Sequence, residues 1–107
     1  MRFHALELAL SIISSLRTLL PPIRTRDPRL ASQIRDAGSS IALNLGEGNR
    51  RRGLDRAHLF RIASGSAEEV RTALRVSLAW GYLSEKAVAE TLGRIDGLQA
   101  MLWRLTR

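Results

Sequence analysis

Apolar residues along this chain recur every three to four positions, and no stretch alternates with the period of two that a half-buried strand requires. Three clusters of helix-breaking residues divide the pattern: Pro21-Pro22 with Asp27-Pro28, Gly48-Asn49 through Gly53, and Gly81 through Ser84. Four segments remain, predicted as helices over about 2–20, 28–47, 54–80 and 85–106. Short links between long helices make chain neighbours antiparallel. The prediction is therefore an all-α single domain over residues 1–107, an antiparallel up-down four-helix bundle.

In the first segment, Phe3, Leu6, Leu10 and Ile13 fall on one side of a helical wheel, and Leu8, Ile12, Leu16 and Leu19 on another. Together they cover an arc of roughly 220°, where a bundle helix needs little more than about 100°. The excess predicts a subunit interface through Leu8, Ile12, Leu16 and Leu19, and hence a homo-oligomer. The second segment opens with Asp27 as a cap and Pro28 in the first turn. Leu30, Ile34, Ala37, Ile41 and Leu45 form its stripe, and Gly48 is expected in the left-handed closing position. The third carries Leu59, Ile62, Ala63, Ser66, Val70, Ala73, Leu74 and Ser77, many of them small enough for close helix approach. Gly65 in its middle costs about 1 kcal/mol relative to Ala, which close packing would offset. Ser84 caps the fourth, whose stripe is Val88, Leu92, Ile95, Leu98, Leu102 and Leu105.

At 107 residues, with 45% hydrophobic and 25% charged, the chain can bury a core of its own. It has no cysteine, which removes disulfides and thiolate metal sites and suits a cytoplasmic setting. Glu7, the recurring serines and the lack of a small-x-small cleavage site before Pro21 argue against a signal peptide. No run of apolar residues reaches the uninterrupted length of a membrane span. The net charge is +7, carried almost wholly by arginine, with Lys86 as the single lysine. A GC-rich coding sequence would favour Arg over Lys, but not cations over acids. The excess points to a polyanion such as RNA or DNA.

Two stretches carry a family pattern. One is Gln33-Ile34-Arg35-Asp36-Ala37-Gly38-Ser39-Ser40-Ile41-Ala42-Leu43-Asn44-Leu45-Gly46-Glu47-Gly48; the other is Phe60-Arg61-Ile62-Ala63-Ser64-Gly65-Ser66-Ala67-Glu68-Glu69, with Trp80-Gly81-Tyr82-Leu83 further on. They resemble the S23 family, small four-helix-bundle proteins encoded in intervening sequences of bacterial 23S rRNA genes. Departures from its pattern are Arg52-Gly53 where a serine usually precedes helix three, Gly46 for alanine and Ala67 for leucine. The resemblance covers nearly the whole chain. It implies a bundle, a cyclic homo-oligomer (pentameric where the family is known) and no known catalysis; no cofactor is expected. The family is similar to accessory proteins of diversity-generating retroelements, which are basic pentamers binding nucleic acid and a reverse transcriptase. The family motif residues here are Asn44, Glu47, Gly48, Gly65, Ser66 and Glu69.

The densest positive cluster is Arg50-Arg51-Arg52, joined by Arg56 and Arg61, and it is the candidate nucleic-acid surface. A solvated basic turn at a helix C-terminus would look the same. Arg24, Arg26 and Arg29 form a second basic group, expected at the opposite end. Phe3, Phe60, Trp80, Tyr82 and Trp103 are expected in the core or an interface, with no evident platform for stacking a base. Glu47, Glu69 and His58 lack the Glu-x-x-His spacing of a di-metal bundle. Gly65-Ser66 follows no strand, so it is no nucleophile elbow. The two function classes in view are an oligomer that binds structured RNA or DNA through arginines at the bundle end and a structural or protein-interaction module whose charge is incidental.

Overall fold

The computed structural model describes residues 3–107. Four helices, α1 (His4–Arg26), α2 (Pro28–Gly48), α3 (Gly53–Trp80) and α4 (Glu85–Thr106), pack into a bundle 42 Å long and about 23 Å across. Each helix meets its chain neighbours, and α1 also meets α4, so the four form a square with the α2–α3 seam the most extensive. One end joins the start of α1, the α2–α3 turn and the end of α4: Phe3 stacks on Phe60, and Arg61 donates to the Thr106 carbonyl. The other end joins the α1–α2 and α3–α4 turns, where Tyr82 meets Asp27. This is the up-down bundle that the hydrophobic period predicts.

Boundaries agree within a residue or two except in α1. Its predicted start at Arg2 lies outside the described residues. Its predicted end is wrong: Pro21 and Pro22 lie inside the helix, which runs on to Arg26. Proline there removes two intrahelical donors. The carbonyls left without a partner belong to Arg17 and Thr18, both on the exposed side, where water can satisfy them. Beyond the prolines Ile23 is fully buried, so continuing the helix adds core. Asp27 then stops α1 and starts α2, its Oδ1 accepting from the Leu30 amide at 3.0 Å. Ser84 caps α4 in the same way, and Gly81, at φ 79°, closes α3 in the left-handed region.

The core corrects the interface expectation. Ile12, Leu16 and Leu19 are 0%, 3% and 6% exposed and belong to the subunit's own interior; Leu8 packs half-buried against it. The stripe they continue begins at Ala5 and Ala9, whose small side chains let neighbouring helices approach. What α1 leaves outside is chiefly Leu10. The length and hydropathy of α1 would also let it cross a bilayer, but here its core face is Ala5, Ala9, Ile12, Leu16, Leu19, Leu20 and Ile23. In α3, Phe60 and Ala67 are buried where Ile62 was expected, and Ile62 stands 39% exposed.

Polar side chains lock three of the seams. Between α2 and α3, Ser40 Oγ and Ser66 Oγ are 2.8 Å apart, and Asn44 Nδ2 donates to the Ser40 carbonyl and hydroxyl. Between α3 and α4, Ser64 donates to Gln99 at 2.7 Å and Gln99 returns a bond to the Ser64 carbonyl. Between α1 and α4, Arg94 donates to Ser11 and Ser15. Among the described residues no buried side-chain donor or acceptor is left unpaired.

Candidate nucleic-acid interface

The α2–α3 turn is tight because Gly48 ends α2 against the ring of Phe60. A Cβ at Gly48 would lie 2.7 Å from that ring and 3.2 Å from the Leu59 Cβ. Gly48 therefore serves close approach. It is not the left-handed cap expected of it, since among the described residues only Gly53 and Gly81 have positive φ. Asn49 ends the helix in the right-handed region, and the chain turns through Arg50, Arg51 and Arg52 into α3.

The five arginines proposed from the sequence do gather at this end, but they are not equivalent. Arg56 is half-buried: its guanidinium lies 4.7 Å from the Phe60 ring centroid and 5.9 Å from that of Phe3, and donates to Asn49. Arg51 is held 2.5 Å from Glu47, which pushes its pKa upward, chiefly through that hydrogen bond. Both side chains are about half exposed, so the pair contributes little to stability. Arg61 spans to the Thr106 carbonyl at 3.1 Å and neutralises the end of α4. Arg50 and Arg52 alone of the five are exposed and hold no ion pair or side-chain hydrogen bond among the described residues.

Two further cations were missed. Arg104 and Arg107, at the end of α4, are carried to the same end by the antiparallel topology and are likewise exposed and unpaired among the described residues. Their sequence distance from Arg50 hid them; only the order of the helices could have placed them. Among the described residues, seven arginines thus converge here (Arg50, Arg51, Arg52, Arg56, Arg61, Arg104 and Arg107) against Glu7, Glu47 and Asp55.

The two tryptophans lie outside the subunit's core. Trp103 and Trp80 are 66% and 68% exposed, on the outer faces of α4 and α3. Other motif residues divide by location. Asn44 and Ser66 meet through Ser40 in the α2–α3 seam. Gly65 and Glu69 lie outside, along a shallow groove with Gln33 and Val76. A Cβ on Gly65 would meet nothing within 4 Å, so no packing within the subunit offsets that glycine. Glu47 and His58 line one hollow without Glu69, and no three His, Asp or Glu side chains among the described residues sit close enough to share a metal.

A family model described as 23S rRNA-intervening sequence protein matches residues 3–104. The chain belongs to that family. One solved structure, a protein of unknown function from the S23 ribosomal protein family of Bacteroides thetaiotaomicron, superposes with a TM-score of 0.87. The alignment covers 96% of this chain and 98% of that one at 16% identity, which establishes a shared fold. No curated protein matches the sequence. For this S23-family chain, then, the family and the bundle are established, and the solved relative carries no assigned function.

Proposed function

We propose that this S23-family protein is a non-enzymatic, homo-oligomeric bundle that binds nucleic acid through its arginine-rich end. The observation that carries the reading is the convergence of cations from the α2–α3 turn and from the end of α4, with Arg50, Arg52, Arg104 and Arg107 left unpaired. Four free guanidiniums at one end of a rigid bundle suit phosphates, which give affinity without reading sequence. Repetition of that end around a ring of subunits would multiply it.

Support for self-association comes from the outer face of α3. Leu54, Ile62 and Val76 run along one side of it, with Leu54 86% exposed, and Gly65 stands open between them. Such a stripe is the ordinary mark of a protein interface. A groove between α1 and α2, floored by Ile13, Leu20 and Pro21 and edged by Arg17, Arg24 and Arg35, complements Glu68 and Glu69 beside that stripe in charge. A head-to-tail contact of this kind gives a ring when the rotation between copies closes and a filament when it does not. Val76→Glu is expected to lower the mass by light scattering while leaving helicity intact; an unchanged mass refutes this face as the contact.

Binding is tested with RNA and DNA over a salt series. Arg50→Ala with Arg52→Ala should weaken binding and reduce the dependence of log affinity on log salt by about 0.9 per lost duplex contact. Arg26→Ala with Arg29→Ala, at the far end and outside the proposed subunit groove, should change neither. Equal loss from both pairs, or no binding by the intact oligomer at low salt, refutes the assignment. In that case the α3 stripe leaves a protein-interaction module as the better reading.

A further inference from the structure

We infer that the basic end takes single-stranded nucleic acid, with Trp103 as the surface on which a base stacks. This rests on the nucleic-acid reading above and adds to it the kind of strand.

Trp103 sits one residue past the buried Leu102, so the helical turn swings its indole off the core face. Two thirds of it faces water, which leaves a large apolar ring unburied in a chain that otherwise pairs its polar groups and fills its interior. It lies in a hollow of about 290 Å³ that it shares with Arg61, Ser64, Gln99 and Thr106. The polar groups there are already matched: Ser64 and Gln99 bond each other, and Thr106 bonds back to Leu102. Among the described residues no side chain makes an aromatic or cation–π contact with the ring. Arg61 shares the hollow with several of its N–H groups unused, Arg107 is one helical turn on, and Arg104, the next residue, lies round the helix toward Phe3 and His4 at the same end of the bundle.

An indole face beside guanidiniums is the arrangement that binds a nucleic-acid strand without reading its sequence. The base stacks on the ring while its neighbouring phosphates meet the cations. A duplex keeps its bases stacked within itself and offers no free face, so Trp103 would contribute nothing to duplex affinity. Glu68, on the rim of the hollow and pulled toward Arg71, can accept from the amino edge of a stacked base.

The test uses the full chain with Trp80→Phe, so that Trp103 is the only indole. Oligo(dT), oligo(U) and a mixed-sequence hairpin duplex are titrated in low salt, following both anisotropy of the labelled strand and Trp103 emission. Single strands should quench Trp103, and the relative effect of oligo(dT) and oligo(U) tells DNA from RNA. Trp103→Ala should weaken single-strand binding roughly 5- to 150-fold, Trp103→Phe should retain most of it, and duplex affinity should not move. Single-strand binding by Trp103→Ala equal to the parent, or binding without quenching, overturns the platform. The arginine reading then still stands if Arg50→Ala with Arg52→Ala weakens binding. Equal loss of duplex and single-strand affinity in Trp103→Ala overturns the strand preference. No binding of any of the three overturns both readings. Circular dichroism and mass confirm that each variant is folded; Trp103, being exposed, leaves no cavity when truncated.

Discussion

At the Phe60 end of the bundle Arg56 lies over a ring that is wholly buried; at the Tyr82 end Arg26 lies 5.7 Å from a ring that is only half-buried. Both ends carry runs of arginine in the sequence. At the Tyr82 end the chain supplies Asp27, which caps α2, accepts from Tyr82 and stands between Arg26 and Arg29. At the Phe60 end the only carboxylate paired with the cluster among the described residues is Glu47, on Arg51. The runs of arginine therefore give one end where a single carboxylate sits among Arg24, Arg26 and Arg29, which hold no ion pair among the described residues, and one end made more positive by the arrival of Arg104 and Arg107. The second is also the end where closing the bundle depends on tight aromatic packing.

Phe60→Ala strains this comparison most. Truncating a fully buried phenylalanine should cost about 3–5 kcal/mol, a large part of the stability of a domain this size. It also removes the ring beneath Arg56. The counterpart Tyr82→Ala should cost clearly less. Denaturant midpoints measure both, and equal losses would mean that the two ends carry the fold alike. Gly48→Ala comes next. Its Cβ must displace a ring pinned between Phe3 and Arg56, and such overpacking typically costs about 1–3 kcal/mol. A neutral result would show that α2 can slide on α3. Had Gly48 served only as a left-handed cap, replacing it with Asn would be tolerated; here it should be no better than Ala.

Asp27→Ala is the smallest effect and sharpens the far end. Loss of the cap should cost about 1 kcal/mol. It also reaches Tyr82, whose pKa is raised first by burial and then by the charge and hydrogen bond of Asp27, against the opposing pull of Arg26. A folded pKa raised above the unfolded one favours the neutral phenol. That contribution is complete below the ordinary phenol value and is lost as pH rises through the folded one. With Asp27 gone, the alkaline titration of this sole tyrosine, followed by tyrosinate absorbance, should move down toward the ordinary value without reaching it, because burial remains. An unmoved titration would mean that the carboxylate does not act on the phenol.

These contrasts trace what could be read before folding. The helices were legible because core positions repeat at 3.6 residues and the breaks at Asp27, Gly53 and Gly81 are chemical. Pro21-Pro22 misled because proline weakens a helix locally, while burial of Ile23 decides whether the helix goes on. The basic end was half legible: adjacent arginines stand out, whereas Arg104 and Arg107 do not. The α1 interface was misread because a wheel cannot tell an apolar face turned to the subunit's own core from one turned outward. Ala5 and Ala9, which settle the matter, carry almost no hydrophobic signal.

The sequence by itself determined four helices, their order, the caps at Asp27 and Ser84 and an excess of positive charge, because these follow from local spacing and from side-chain chemistry within a turn or two. Only the tertiary structure decided which arginines are free and which are spent on Glu47, Phe60 and the end of α4. It alone brought Arg104 and Arg107 to Arg50, fixed Gly48 against Phe60, and left Trp103 and Gly65 outside. Each of those outcomes joins residues far apart in the chain, and the choice among them is made by which surfaces bury together.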